Sequence, residues 1–414
     1  MQAENSSSIV VVGGGHAAGR AIEALRGAGF AGRIALVGDE KQPPYERPAL
    51  SKQLLNGEVE FDSLLVRPRD WYAEQGVELV LGTRAEAIDR PARRVLLRDG
   101  RAIAYDRLLL TTGARARPLT VAGANLPGVH AVRTVADALA LRERLRPGAR
   151  LLVVGAGLIG LEVAAVARAR GCEVAVLEAG PHALGRVTPP EVGRMFEQLH
   201  ASFGTEVHAG TLLTRIDKLR DAQRLVATSA DGRRWEADAI VAAIGAVPND
   251  ELAANAGLRV DNGIRTDEFG RTSDPAIFAA GDVTAHFNPL LGRHLRLETW
   301  QNAQNQAIAV ARVMAGGAQS HSEVPWFWTD QFGLNFQSAG APMGWDEVHW
   351  RHAPDGKPAV VFYLQDGVLV GGATFNQGRQ MRHLKQLIGV RARVDGRRLQ
   401  DPGTALDQLA RMVG

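Results

Sequence analysis

Residues 150–178, RLLVVGAGLIGLEVAAVARARGCEVAVLE, decide the fold. Leu151 to Val154 is a continuous apolar run, the pattern of a parallel strand buried on both faces. Gly155-Ala156-Gly157-Leu158-Ile159-Gly160 then fits G-x-G-x-x-G, and a helical stretch leads to a second strand, Glu173 to Leu177, closed by Glu178. Strand, glycine turn, helix, strand and terminal acid in this order mark a dinucleotide-binding unit. The three glycines differ in role. The first makes the tight turn, the second lets backbone approach a pyrophosphate, and the third keeps the helix near the sheet. The helix N-terminus adds free N–H groups and about half a positive charge.

Residues 8–40, SIVVVGGGHAAGRAIEALRGAGFAGRIALVGDE, repeat the design. Ile9 to Val12 is the strand, and Gly13, Gly15 and Ala18 take the three small positions. Ala21, Ile22 and Leu25 follow at helical spacing, and the second strand runs to Asp39, which can accept from a ribose. His16 in this turn reads as a surface residue close to phosphate. Two complete units imply two dinucleotides. In the second, a carboxylate at Glu178 suits the 2′-hydroxyl of NAD and repels the 2′-phosphate of NADP, so NADH is expected over NADPH.

A length of 414 residues leaves room for two or three domains. No apolar run approaches the roughly 18–20 residues that span a bilayer. The start, MQAENSSSIVVVGGG, lacks a basic segment and reads as a polar tail entering a strand. A single cysteine, Cys172, cannot form a dithiol pair, an intrachain disulfide or the usual thiolate set of an iron–sulfur cluster. It reads as a small buried filler, and a cytoplasmic location is expected. A net charge of +3 fits either an arginine-rich composition or a patch that steers an acidic partner. No basic tract interleaved with aromatics points to nucleic acid, and no metal site is expected.

Other stretches act as punctuation. Leu108 to Thr111 and Ala239 to Ile244 are strands running into Gly113 and Gly245, and residues 77–107 read as a small antiparallel meander. Ile277 to Ala280 is a short strand ending in Gly281-Asp282; an acid there suits a hydroxyl-rich ligand or a helix cap. From about Glu323, aromatic PWFWTDQF, alternating PAVVFYLQDGVLVGGATF and a basic helical tail suggest an α+β domain, with Trp326 and Phe327 in its core.

YERPALSK (45–52), GLIGLEVA (157–164), FAAGD (278–282) and PWFWTDQ (325–331) together resemble the FAD-dependent, NADH-using ferredoxin reductases of bacterial Rieske dioxygenase and cytochrome P450 systems. This is the putidaredoxin reductase-like family with the glutathione reductase fold. The resemblance implies an α/β protein with two Rossmann-like dinucleotide-binding domains and a C-terminal α+β domain. Residues 1–117 with 247–320 would bind FAD, 118–246 would bind NADH, and 321–414 would form the third domain. Gly13, Gly15, Ala17, Ala18, Asp39, Arg47, Lys52, Ala85, Arg133, Asp282 and Trp300 match FAD positions, Asp282 on the ribityl chain. Gly155, Gly157, Ile159, Gly160, Glu162, Glu178, Arg186, Gly245, Glu298 and Trp328 match the NADH side, the last two beside the reacting rings. The chain departs from the family at Gly14, where threonine, alanine or serine is usual, and at FNQGRQ (375–380), which lacks Asn-Arg-Pro.

The resemblance implies hydride transfer from NADH to FAD, then single-electron transfer to a [2Fe–2S] ferredoxin that supplies an oxygenase, an aromatic-ring dioxygenase in preference to a P450. Lys52 and Glu162 would stand beside the flavin on either side of a domain junction, as a catalytic pair or as a structural salt bridge. Arg382, Lys385, Arg391, Arg393, Arg397 and Arg398 form a solvated face or a dock for an acidic ferredoxin. No membrane partner is expected, and the protein would be a monomer or homodimer. Two rivals share the fold: an NADH oxidase or peroxidase, which needs an early redox cysteine, and an apoptosis-inducing-factor-like interaction protein.

Overall fold

The computed structural model describes residues 7–219, 224–340 and 344–413; the polar N-terminal tail lies outside them up to residue 6. By contact the chain divides into two compact units. The first holds residues 7–47, 61–115 and 247–325 among those described, and the second holds 48–60, 116–246 and 326–413.

The first unit is built on a five-stranded parallel sheet ordered Ile277–Ala279, Arg107–Leu110, Ser8–Val12, Arg33–Gly38, Val77–Leu81. Its central strands run apolar and buried through Ile9–Val12, Ile34–Val37 and Leu108–Leu110, as a sheet covered on both sides requires. Helices His16–Gly27 and Trp300–Met314 pack together on one face through Ala21, Ile22, Ala307 and Val310. The expected meander covers the other face as the antiparallel strands Ala85–Asp89, Arg94–Leu97 and Ala102–Ala104.

The second unit repeats the parallel sheet, in the order Thr205–His208, Glu173–Leu177, Arg150–Val154, Ala239–Ala242, Val129–His130. In both sheets the order reverses beside the strand that feeds the glycine turn, the place where such sheets take ligands. The expected α+β segment is a five-stranded antiparallel sheet, Trp326–Gln331, Leu334–Gly340, Val368–Phe375, Pro358–Gln365 and Glu347–His352, with helices Gly378–Gly389, Gly396–Gln400 and Leu406–Val413. Cys172 is fully buried between helix Leu158–Ala169 and strand Glu173–Leu177, its thiol on the Arg146 carbonyl oxygen at 3.4 Å. Among the described residues, no helix is long and apolar enough to cross a membrane.

Candidate functional site

The two glycine turns are built alike. Gly13 N–H donates to the Val37 carbonyl oxygen at 2.8 Å, and Gly155 N–H donates to that of Leu177 at 2.7 Å. Both glycines have positive φ, 110° and 107°. A Cβ at Gly13 would lie 2.3 Å from the Thr111 carbonyl oxygen, and one at Gly155 would lie 2.5 Å from that of Ala243. No other residue makes these turns without moving the next strand. Gly160, on the first turn of its helix, is needed for packing, because its Cβ would lie 2.0 Å from the Gly155 carbonyl oxygen. Gly15 and Gly157 face open space, where a Cβ would meet nothing closer than 3.9 Å and 4.0 Å. A backbone left bare at a helix N-terminus fits a pyrophosphate.

In the first unit His16 is 6 % exposed, so it is not the surface residue expected from sequence. Its ring lies 5.3 Å from that of Trp300, and neither ring nitrogen has a protein partner. Burial, with Arg20 and Arg47 adding repulsion, pushes its pKa down to about 3. A buried imidazole with both nitrogens free of protein partners fits a polar ligand in this turn. Asp39 is exposed just past its strand, while Glu40 behind it is tied down. Glu40 accepts from Tyr45 Oη at 2.6 Å and from Arg47 Nη2 at 2.7 Å, and the Arg47 guanidinium lies over the Tyr45 ring at 5.0 Å. Desolvation works against the Arg47 charge, but Tyr45, Glu40 and Asp282 more than offset it.

Asp282 is not at a helix start. It sits in the turn between strands Ile277–Ala279 and Thr284–Asn288, which removes the helix-cap alternative. The preceding Gly281 N–H donates to Gln306 Oε1 at 2.9 Å. Ala17, Ala18 and Ala85 are buried, and Trp300 opens helix Trp300–Met314. Glu298 is exposed and pairs with Arg296.

In the second unit Glu178 closes on its glycine turn, accepting from Ala156 N–H and from Gly180 N–H at 2.7 Å each. Arg186 lies over Gly245, where a Cβ would come within 2.9 Å of its guanidinium. Ile159 is 43 % exposed at the helix N-terminus. Arg133, whose N–H donates to Asp137 Oδ2 at 3.1 Å, precedes the capping box of Thr134 and Asp137 that starts helix Val135–Arg142. That cap contributes about 1 kcal/mol. Trp328 stacks on Trp326 at 5.3 Å; Trp326 and Phe327 are both half-buried, and of the two Phe327 packs against the large core of the second unit while Trp326 has Lys385 over its ring.

Lys52 and Glu162 meet inside the second unit, because residues 48–60 pack with it. After a 3₁₀ turn at Pro48–Ser51, Lys52 directs its ammonium to Glu162 Oε1 at 2.7 Å. The side chains are 12 % and 3 % exposed. Glu162 opens the second turn of helix Leu158–Ala169, close to the glycine turn. Two hydroxyls complete its shell: Ser51 on Oε2 at 2.5 Å and Thr329 on Oε1 at 2.7 Å. A buried ion pair holds best when further hydrogen bonds meet its charges, and here both carboxylate oxygens accept one from a hydroxyl.

Residues 7–307 match the profile of the pyridine nucleotide-disulphide oxidoreductases, and residues 326–410 match the C-terminal reductase domain. The chain belongs to the pyridine nucleotide-disulphide oxidoreductase family. This oxidoreductase is 44% identical over 405 residues to the ferredoxin–NAD(+) reductase component of the anthranilate 1,2-dioxygenase system of Burkholderia cepacia, covering 97% of the chain and 99% of the relative. It is 38% identical over 408 residues to putidaredoxin reductase of Pseudomonas putida, covering 98% and 97%. It matches the structure of putidaredoxin reductase in its covalent complex with putidaredoxin with a TM-score of 0.95, at 37% identity and over 98% and 99% of the two chains. The resemblance carried by YERPALSK, GLIGLEVA, FAAGD and PWFWTDQ is borne out.

Sequence reasoning missed Ser51, Thr329, Gln331 and His200 of this oxidoreductase, which join Glu162 in one buried cluster. Two signals were available. Thr329 and Gln331 share one strand face by the two-residue period. His200 lies on the buried face of its helix with Val192 and Phe196, at four-residue steps.

Proposed function

We propose that this chain is an FAD-dependent NADH:ferredoxin reductase whose [2Fe–2S] partner supplies an oxygenase, an aromatic-ring dioxygenase in preference to a P450. The observation that carries the proposal is the buried Lys52–Glu162 pair, set beside the second glycine turn in a chain whose one cysteine is buried elsewhere. A thiol-based oxidase or peroxidase has no thiol to use. Residues 1–117 with 247–320 serve FAD, 118–246 serve NADH, and 321–414 form the C-terminal domain.

FAD, when bound, would supply the two-electron and one-electron redox chemistry that amino-acid side chains lack. The chain's residues bind and orient. Gly13, Gly15 and the helix after them hold the FAD pyrophosphate, with Asp39 and Asp282 on its hydroxyl groups. Gly155, Gly157, Glu178 and Arg186 hold NADH. Lys52 would hold a positive charge toward the flavin, and Glu162 holds Lys52 in place. Arg379, Arg382, Arg391, Arg393, Arg397 and Arg398 are exposed and suit an acidic ferredoxin.

The test is NADH-driven cytochrome c reduction with and without an added acidic [2Fe–2S] ferredoxin. Rapid turnover that needs the ferredoxin and falls steeply with salt is expected. Slow turnover with a long-lived flavin–NAD charge-transfer band would favour the interaction-protein reading instead.

A further inference from the structure

Glu162 stands at one end of a chain of hydrogen-bonded, buried side chains. Thr329 Oγ1 donates to Glu162 Oε1 at 2.7 Å, and Gln331 Nε2 donates to Thr329 Oγ1 at 2.9 Å. Gln331 Oε1 meets His200 Nε2 at 2.8 Å. All four residues are buried and lie in the second unit. Phe332 packs edge-on against His200 at 5.0 Å and stacks on Phe203 at 4.1 Å, capping the far end.

The direction of the chain is fixed by its chemistry. An ionised carboxylate only accepts, so the one hydroxyl proton of Thr329 points at Glu162. The Thr329 oxygen is then free to accept from the Gln331 amide. Turning that amide over would set its carbonyl against Thr329, whose single proton cannot serve two oxygens. The Gln331 carbonyl therefore faces His200, which must donate from Nε2. Burial lowers the His200 pKa, which leaves a neutral ring with one N–H, and its bare Nδ1 has no partner. Three aligned donors thus end on one carboxylate, each polarising the next. Buried polar groups replaced together by apolar side chains of similar volume often cost little stability, so cohesion alone does not explain the polar chain.

We propose that Thr329, Gln331 and His200 are positioning residues that lock the Glu162 carboxylate against Lys52 and thereby set the rate of flavin reduction by NADH. This rests on the assignment of Lys52 and Glu162 to the flavin side.

The experiment is stopped-flow reduction of the FAD-loaded protein by NADH. Thr329→Val should lower the limiting rate about tenfold, the effect of one hydrogen bond to a charged group. The NADH concentration at half-maximal rate and the FAD content should not change. Thr329→Ser, which keeps the hydroxyl, should restore the rate. His200→Phe, two links further out, should slow it about threefold, since coupling weakens along the chain. In a Lys52→Met background neither change should slow it further, because the group they act on is gone. Wild-type rates in both single variants would overturn the proposal, as would equal slowing with and without Lys52. If Thr329→Val fails to retain FAD, the His200→Phe cycle decides by the same criteria. A normal rate in Lys52→Met alone would instead sink the assignment of the ion pair, which is a separate failure.

Discussion

The two glycine turns share a backbone and differ in what surrounds it. Val37 and Leu177 hold the same register, paired with Val12 and Val154, so Gly38 stands where the second turn has Glu178. A Cβ at Gly38 would already lie 3.2 Å from Leu81 and 3.3 Å from the Gly14 Cα, so the first turn is closed where the second carries its carboxylate. His16 corresponds to Leu158, and buried Ala17 to exposed Ile159. The first turn is flanked by the buried His16, the Trp300 ring and the fixed Glu40–Tyr45–Arg47 trio. The second presents a bare helix end, one acid and one arginine. The first is suited to a resident cofactor and the second to a dinucleotide that comes and goes.

The hardest way to break this comparison is to damage each turn identically. Gly13→Ala and Gly155→Ala both force a side chain into backbone at positive φ. Gly13→Ala is expected to yield protein without FAD. Gly155→Ala should keep FAD and need on the order of 100-fold more NADH to saturate flavin reduction, equivalent to about 3 kcal/mol of strain. Absorbance of the purified proteins and stopped-flow titration check this. FAD lost from Gly155→Ala and kept by Gly13→Ala would exchange the two assignments.

Glu178 sharpens the comparison at a smaller scale. Glu178→Ala should lower the NADH-to-NADPH ratio of kcat/KM about tenfold, the equivalent of about 1.4 kcal/mol of lost discrimination. Activity with NADH should fall as well, because Ala156 N–H and Gly180 N–H lose their acceptor. An unchanged ratio would show that the acid serves only the turn.

The turns, the strands of both parallel sheets, the meander and the alternating segments of the C-terminal α+β domain were legible because each follows from local pattern. The misses come from contacts distant in sequence. His16 meets Trp300, and no window around GGGHAA holds that information. The chain from Glu162 to His200 crosses a helix, a strand and a second helix. The strand period alone could have corrected one error. Alternation puts Trp326 with Trp328 and Phe327 with Thr329 and Gln331, so Trp326 and Phe327 cannot both face the core. Of the two readings open at Asp282, the cap fell only because the chain turns there into another strand, which FAAGD alone does not reveal.

His16 tests the contrast between the turns most finely, since His16→Leu gives the first turn the residue of the second. If the imidazole faces the cofactor, its loss removes about one hydrogen bond and weakens FAD about fivefold. In the FAD-free protein the same change should stabilise, because an apolar side chain replaces a buried ring with no protein partner. Its pH dependence follows from the His16 pKa of about 3 against 6.5 for an ordinary histidine. The unfolded chain takes up a proton that the folded chain refuses, so stability falls as pH drops from about 6.5 toward 3. Leucine removes that contribution, and the melting temperature of the FAD-free variant should fall less between about pH 7 and 5 than that of the parent, with His286, also near 3, keeping a residual slope in both. Equal FAD affinity in the two proteins would mean that the ring faces no ligand. The first turn would then act without its histidine, as the second acts with Leu158 in the same place.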